Sequence, residues 1–537
     1  EVNLTYAFAD HNLEFSSEIS WEQFNDVRSG EDRRGTFSFG GSFTGDAFAD
    51  FLLGLPESAE RATGSDRVDL RRRVFEFGLS DDWRVSPHLN LDLGVTYAYY
   101  EPYPSTRPVA SFFPLLVDPE GNGQVVISGS DEANRLGFSR AGRGSLIFPD
   151  RNDWAPRLGL AYSPTGTNRF VIRTSYSIFY QPLQSWQAIN FMARNYPFYQ
   201  REEAVSSIET LQLDLSNPFQ TIAPTAVAIR GIERNVRTSS YQFWRLTVEK
   251  KVSRNWSLDL SYIGRKGTGL KRIIPGNVPL PGPGVIQERR PDPDYGLFTI
   301  ISGGASSISH ALDLQVERQL ARGYSLKGGV TWDREISDLV FFGVSNPRDL
   351  RSERAPSGWR PDFSAFLNYI VDLPFGEGRD APGSGFWGRL SSGWRWSGIT
   401  RFQGGRAFSV RLATDLNNDG LSSDRPDRIG DGRLPAGQRS IDAWFDVGAF
   451  AEPAEYSFGN AGRNILRGLG FENWDMALSK RTVLADGHFL EFRLELFNAF
   501  NHTNFDDPEA TFGTSVFGQI FGAARAREIE IALKYSF

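Results

Sequence analysis

The feature that most constrains this chain is a two-residue alternation of apolar and polar side chains that recurs from end to end. At the C-terminus Ile529, Ile531, Leu533, Tyr535 and Phe537 share one face, while Glu528, Glu530, Ala532, Lys534 and Ser536 share the other. Leu89, Leu91, Leu93, Val95, Tyr97 and Tyr99 alternate in the same way with Asn90, Asp92, Gly94, Thr96 and Ala98. So do Trp256, Leu258, Leu260 and Tyr262 with Ser257, Asp259 and Ser261, and Leu490, Phe492, Leu494 and Leu496 with Glu491, Arg493 and Glu495. Successive side chains of a strand point to opposite faces, so each stretch is a strand with one apolar and one polar side.

A soluble antiparallel sheet with one wet face would alternate too. The connections decide against it. Short turns are predicted at 9–12, 84–88, 164–168, 253–255, 321–323 and 485–487. Long connections are predicted at 25–67, 101–154, 181–241, 265–310, 333–361, 404–472 and 500–527. The stretch 372–391 is of middling length, and the order of the others makes it a turn on the short side. Short turns on one side and long loops on the other are the signature of an outer-membrane barrel. Long structureless loops are uncommon in compact soluble domains. The fold class read here is therefore all-β: an antiparallel transmembrane β-barrel with long extracellular loops and short periplasmic turns.

Composition agrees. Aromatic residues make up 13% of the 537 residues, too many for a chain that never packs. A mean hydropathy of -0.36 is no obstacle, because a barrel strand shows lipid only every second residue. No run of about 18 apolar residues offers a membrane helix. The absence of cysteine excludes disulfides, thiolate metal sites and cysteine nucleophiles. A net charge of -7 gives no reason to expect nucleic acid as a partner.

About fifteen strands of the ~10-residue length a tilted barrel needs can be counted. The first, Val2–Phe8, runs into a short turn and so begins on the long-loop side. Single-chain bacterial barrels have even strand numbers with both ends periplasmic. An odd number of strands is therefore expected to lie upstream of Glu1, and the chain, 1–537, reads as the C-terminal part of a barrel domain. No signal peptide precedes the strand-like start.

Three stretches carry a family resemblance. Glu528-Ile-Glu-Ile-Ala-Leu-Lys-Tyr-Ser-Phe537 resembles the terminal signal read by the barrel-assembly machinery. Glu495-Leu-Phe-Asn-Ala-Phe-Asn-His-Thr-Asn-Phe505 resembles the penultimate-strand motif of TonB-dependent receptors. Asn152-Asp-Trp-Ala-Pro-Arg-Leu-Gly-Leu-Ala-Tyr-Ser-Pro164 and Ala49-Asp-Phe-Leu-Leu-Gly-Leu-Pro56 resemble the Oar-like branch, which carries a carboxypeptidase-regulatory domain. The resemblance implies a 22-stranded barrel around a plug, an outer-membrane location, and partners in membrane lipid, the TonB energy-transducing complex and an extracellular ligand. Plug, TonB box and regulatory domain are not found in this sequence, and energised transport depends on them.

No enzyme signature is found. The histidines His11, His88, His310, His488 and His502 are scattered, and neither a nucleophile elbow nor a phosphate-binding loop occurs. The chain reads as a non-enzyme that requires no cofactor. One local constellation suggests a structural calcium ion. Asp415, Asn417 and Asp419 stand at alternate positions before Gly420, the start of a calcium loop, with Asp424 or Asp427 in place of the absent distal glutamate. A solvated Asn/Asp/Gly turn is the other reading.

Glu491, Glu495, Glu528 and Glu530 are expected on lumen faces of neighbouring strands, with Arg157, Arg245 and Arg493 also inward. They either dock a plug or line a wet lumen. The stretch 181–201 carries Trp186, Arg194, Tyr196, Tyr199 and Arg201, suited either to ligand capture or to packing of a long loop. Trp83, Trp256, Trp332, Trp394 and Trp474 read as girdle residues. Three functions fit the sequence: uptake of a large or scarce ligand by a TonB-dependent receptor, a porin-like passive channel, or a non-transporting surface-binding protein.

Overall fold

The computed structural model describes residues 1–537 except 28–33, 65–66, 106, 114–123, 137, 139–144, 167–168, 206–226, 322, 341–342 and 374–389. Seventeen strands share one sheet. Two of them, Val227–Ile232 and Ala355–Pro356, are short additions at one end, which leaves fifteen in the wall. In chain order these are β1 (Val2–Phe8), β2 (His11–Val27), β3 (Arg67–Ser86), β4 (Leu89–Tyr100) and β5 (Asp153–Tyr162). β6 (Phe170–Gln181), β7 (Ser239–Lys251), β8 (Trp256–Gly276), β9 (Tyr295–Ala321) and β10 (Tyr324–Ser337) follow. β11 (Phe363–Asp372), β12 (Trp394–Gln403), β13 (Phe471–Ala485), β14 (His488–Phe497) and β15 (Glu528–Ser536) complete the wall. Each wall strand pairs antiparallel with its sequence neighbour. Among the described residues β1 and β15 share no ladder.

The register carries the alternation across the sheet as two continuous faces. Leu91, Leu160, Thr174, Leu246, Tyr262, Leu312 and Trp332 lie on one row of cross-strand partners. Leu478, Leu494 and Ile531 form another on the same side. These side chains are exposed or half-exposed in the protein alone: Leu246 is 46% and Ile531 70% accessible. Large apolar groups left bare along a whole sheet face need lipid to cover them. Trp83, Trp256, Trp332, Trp394 and Trp474 all belong to this face. Along β12, Trp394 and Phe402 are eight residues apart, roughly 21 Å of height for a strand tilted by ~40°, close to the ~25 Å between aromatic girdles. One close approach depends on glycine. A Cβ on Gly264 would lie 1.9 Å from the ring of its cross-strand partner Trp244, so only a bare backbone lets the indole lie flat.

The turns at 9–12, 84–88, 253–255 and 485–487 fall where the sequence puts them, and those at 164–168 and 321–323 include residues outside the described set. The two-residue Asp486–Gly487 link uses the left-handed backbone of Gly487 (φ 80°). The connection predicted at 372–391 joins the paired strands β11 and β12, with its residues 374–389 outside the described set. One long connection is corrected. The stretch predicted as loop from 265 to 310 is mostly strand, because β8 continues to Gly276 and β9 resumes at Tyr295. At 27 residues β9 is nearly three times the ~10 that cross a bilayer. The extension holds because it is buried: Leu270, Ile273, Phe298, Ile300 and Ile301 pack inside an external lobe.

The hydrophobic cores therefore lie above the wall, not within it. One joins Val68, Leu70, Tyr103, Val109, Leu146, Phe191, Met192, Ile232 and Ile301, drawn from loops and strand extensions on several strands. Another joins Val410, Phe445, Phe450 and Leu466, with Phe512 and Phe517 packed on it. Within the bilayer zone lipid does what a core does elsewhere; above it the loops must bury one another.

Candidate functional site

The polar face of the wall is dense in charge of both signs. Glu495 and Glu530 stand opposite each other on β14 and β15, as do Glu491 and Lys534, while Glu528 faces Phe497. Arg493 lies between the two β14 carboxylates, 2.9 Å from Glu491 and 3.6 Å from Glu495. Neither Glu528 nor Glu530 has an ion pair among the described residues, and both are exposed. Arg157 shares the face and reaches Asp92 at 3.1 Å, and Arg173 reaches Glu249 at 2.8 Å. Arg245 is tied down by hydroxyls, donating to Thr247 Oγ1 at 3.0 Å and Ser261 Oγ at 2.9 Å. The structure thus brings all four glutamates onto adjoining strands of one face. Two are already engaged by arginine and two are unengaged.

The aromatic stretch after β6 begins with the helical turn Ser185–Ala188 and continues as Ile189–Ala193. Ala188, Phe191 and Met192 face the first loop core, and Trp186 packs against it half-buried. Arg194 is 3% exposed and paired with Asp26 at 2.7 Å, so its charge is spent on holding this loop to the end of β2. Tyr196 meets Tyr295 edge-on with ring centroids 6.3 Å apart. Tyr199 opens the strand Tyr199–Val205, which pairs with Ser58–Gly64. The side chain of Arg201 lies outside the described residues. Trp186, Tyr196 and Tyr199 keep a partly open face, whereas Arg194 is enclosed.

The acidic loop is the most organised polar site. Asp415 accepts from the backbone N–H groups of Asp419 (3.1 Å) and Gly420 (2.7 Å), and Asn417 Oδ1 accepts from Asp419 N at 2.8 Å. Asp419 Oδ1 accepts from Leu421 N at 2.9 Å, and Asn417 Nδ2 donates to Asp424 Oδ1 at 2.8 Å. Asp415, Asp419 and Asp424 each place an oxygen within 4.8 Å of the others. Burial pushes Asp419 up to about 6 and Asp424 up to about 7, with neighbouring carboxylates adding to both. Asp427 stands apart: its Oδ1 accepts from Asn460 N at 2.9 Å, because the Asp427–Arg428 bridge turns it toward the opposite strand.

Two arrangements escaped sequence reasoning. Glu353 is 1% exposed and bonded to Arg425 at 2.8 Å, with Arg463 at 3.7 Å, a buried network linking two loops more than 70 residues apart. Nothing local distinguishes these residues from solvated charges. In the segment after β14, Asn498, Asn501 and Asn504 act as substitute backbone. Asn504 both donates to Glu472 O and accepts from Glu472 N at 2.8 Å, and Asn498 accepts from His502 N at 2.9 Å. Left-handed φ values at Asn498 and Asn501 mark the same turns, and the three asparagines in seven residues were the available signal.

A wall with one lipid-facing and one charged face, long external lobes and short turns defines a bacterial outer-membrane β-barrel. The chain belongs to the family described as Outer membrane beta barrel domain, which it matches over residues 1–530. Among solved structures it is similar to the outer membrane transporter YddB from Escherichia coli. That match has a TM-score of 0.53 and 10% identity, and covers 100% of this chain and 53% of the other. It also matches the ferripyoverdine receptor of the outer membrane of Pseudomonas aeruginosa (TM-score 0.47, 11% identity, 100% and 47% covered). The Ferric-Catecholate import receptor Fiu from K12 E. coli matches with a TM-score of 0.45 and 9% identity, 100% and 53% covered. The chain spans about half the length of these proteins. At such identities the likeness is one of fold. No curated protein sequence matches it.

Proposed function

We propose that this chain forms barrel wall and external lobes of a TonB-dependent receptor of the Oar-like branch, taking up a ligand too large or too scarce for porins. The observation that carries the reading is that the described parts of the external connections are folded. They bury their own cores and are cross-linked by ion pairs such as Arg194–Asp26 and Arg425–Glu353. Preorganised loops suit selective capture; a bare diffusion pore has no need of them. Trp186, Tyr196 and Tyr199 are the aromatic contacts offered to a ligand, and Glu491, Glu495, Glu528 and Glu530 the carboxylates offered to a plug. The last strand, β15, is the segment for barrel-assembly machinery to read. The protein acts by binding and passage, without enzyme chemistry.

The test is conductance of the native protein, purified from outer membranes and reconstituted in planar bilayers. A receptor whose lumen is filled shows no steady ohmic current. A stable wide-pore conductance would refute the reading and favour a passive channel.

A further inference from the structure

The loop 415–424 holds more negative charge than its surroundings neutralise. Its backbone N–H bonds to Asp415, Asn417 and Asp419 are those of tight Asx turns and need no ion. Two atoms remain unexplained by turns. Asp419 is fully buried and Asp424 is 5% exposed, yet Oδ2 of each has no hydrogen-bond partner among the described residues. A buried carboxylate oxygen without a donor is unfavourable unless a cation or proton meets it.

The neighbouring arginines do not supply that cation. Arg290 donates to Asn277 O at 2.7 Å and to Gln287 Oε1 at 3.0 Å. Arg348 donates to Val278 O at 2.6 Å and Pro279 O at 3.4 Å, and Arg289 to Leu280 O at 2.7 Å and to Asn418 O. Their hydrogen bonds go to carbonyl oxygens of the two loops, not to the carboxylates of Asp419 and Asp424.

We infer that Asp415, Asp419 and Asp424, helped by Asn417, bind one calcium ion. The spacing suits the ion's size. Oxygens bound to one calcium ion at ~2.4 Å lie no more than ~4.8 Å apart, and the three carboxylates meet that bound. Carboxylate and amide oxygens are hard donors, with neither imidazole nor thiolate to favour a transition metal. Three carboxylates exceed the charge of one divalent ion, and the nearby arginines offset the remainder at longer range.

The site lies where three external connections meet, and this gives the ion its role. Asn418 Nδ2 donates to Gly282 O at 2.8 Å and Gly284 O at 2.9 Å, while Gly282 N donates to Asn417 O at 3.2 Å. Ser423 Oγ donates to Val344 O at 2.7 Å. Calcium therefore fixes connections 277–294, 338–362 and 404–470 against one another. The inference stands whether or not the protein is a TonB-dependent receptor.

The experiment is equilibrium dialysis of radioactive calcium against the full protein, isolated from outer membranes in detergent and stripped with chelator, with limited proteolysis as a second readout. One ion per chain is expected, with a dissociation constant no weaker than the ~1 mM of extracellular modules. Asp419→Asn and Asp424→Asn, isosteric changes outside the wall, should each weaken binding at least tenfold. In the wild type, calcium should slow cleavage in 404–470 at least tenfold. No binding by the wild type at about 10 mM calcium would overturn the assignment. Unchanged binding by both variants, or equal competition by magnesium, would overturn it as well.

Discussion

Replacing Glu353 by alanine should loosen the external lobe while leaving the barrel wall intact. Glu353 Oε1 accepts from Arg425 Nη2 at 2.8 Å and from Ser345 N at 3.1 Å, and Oε2 faces Arg463 at 3.7 Å. The glutamate is 1% exposed, and the arginine side chains are 7% and 14% exposed. Removing the carboxylate leaves the Arg425 guanidinium buried without its partner, Arg463 with only Asp338 to balance it, and the Ser345 amide with no acceptor. Breaking one partner of such a buried pair costs about 3–5 kcal/mol. At about 1.36 kcal/mol per decade this is two to almost four orders of magnitude in the local opening constant. Hydrogen exchange followed by mass spectrometry reads it directly. Amides of 343–357 and 421–428 should lose at least 100-fold protection, while β7 to β9 in the bilayer zone keep theirs, since their stability comes from the ladder and lipid. A loss below tenfold would refute the claim that this network clamps the loops. Equal loss in the wall would refute its independence from them.

Leu246→Arg places a cation on the lipid face and should cost about 2–4 kcal/mol at mid-bilayer depth, seen as reduced folded yield on heat-modifiability gels. Ser175→Gln, one position along on the opposite face of the β6–β7 ladder, should leave that yield unchanged. Gly264→Ala should cost about 1–3 kcal/mol by forcing the Trp244 ring off its seat, and adding Trp244→Ala should recover most of it in urea titrations of the folded barrel. In the full-length protein Glu528→Gln with Glu530→Gln should raise bilayer conductance above that of the wild type if these carboxylates dock a plug; unchanged conductance would remove them from that role.

How much could be read in advance depends on the range of the forces involved. The wall was legible because its rule is local. A strand between lipid and a wet lumen must alternate at every step, so Leu89 to Tyr99 and Ile529 to Tyr535 declare both strand and facing without reference to any partner. Strand order followed from turn lengths, and the register sets Glu491, Glu495, Glu528 and Glu530 on one face of adjoining strands. The lobes were not legible. Their cores gather Leu70, Ile147, Met192, Ile232 and Ile301 from distant loops and strand extensions with no common period, so β8 and β9 read as loop beyond 265. The same limit applies to the polar sites. Spacing proposed Asp415, Asn417 and Asp419, but only the folded chain chose Asp424 over Asp427 as their companion, and enclosed Arg194 where sequence showed an arginine among aromatics. Alternation is imposed by the solvent on each residue in turn, and one strand is enough to reveal it. Burial of a loop, or of a charge within it, depends on which distant segments arrive beside it, and that is decided only when the whole sheet has brought its loop ends together.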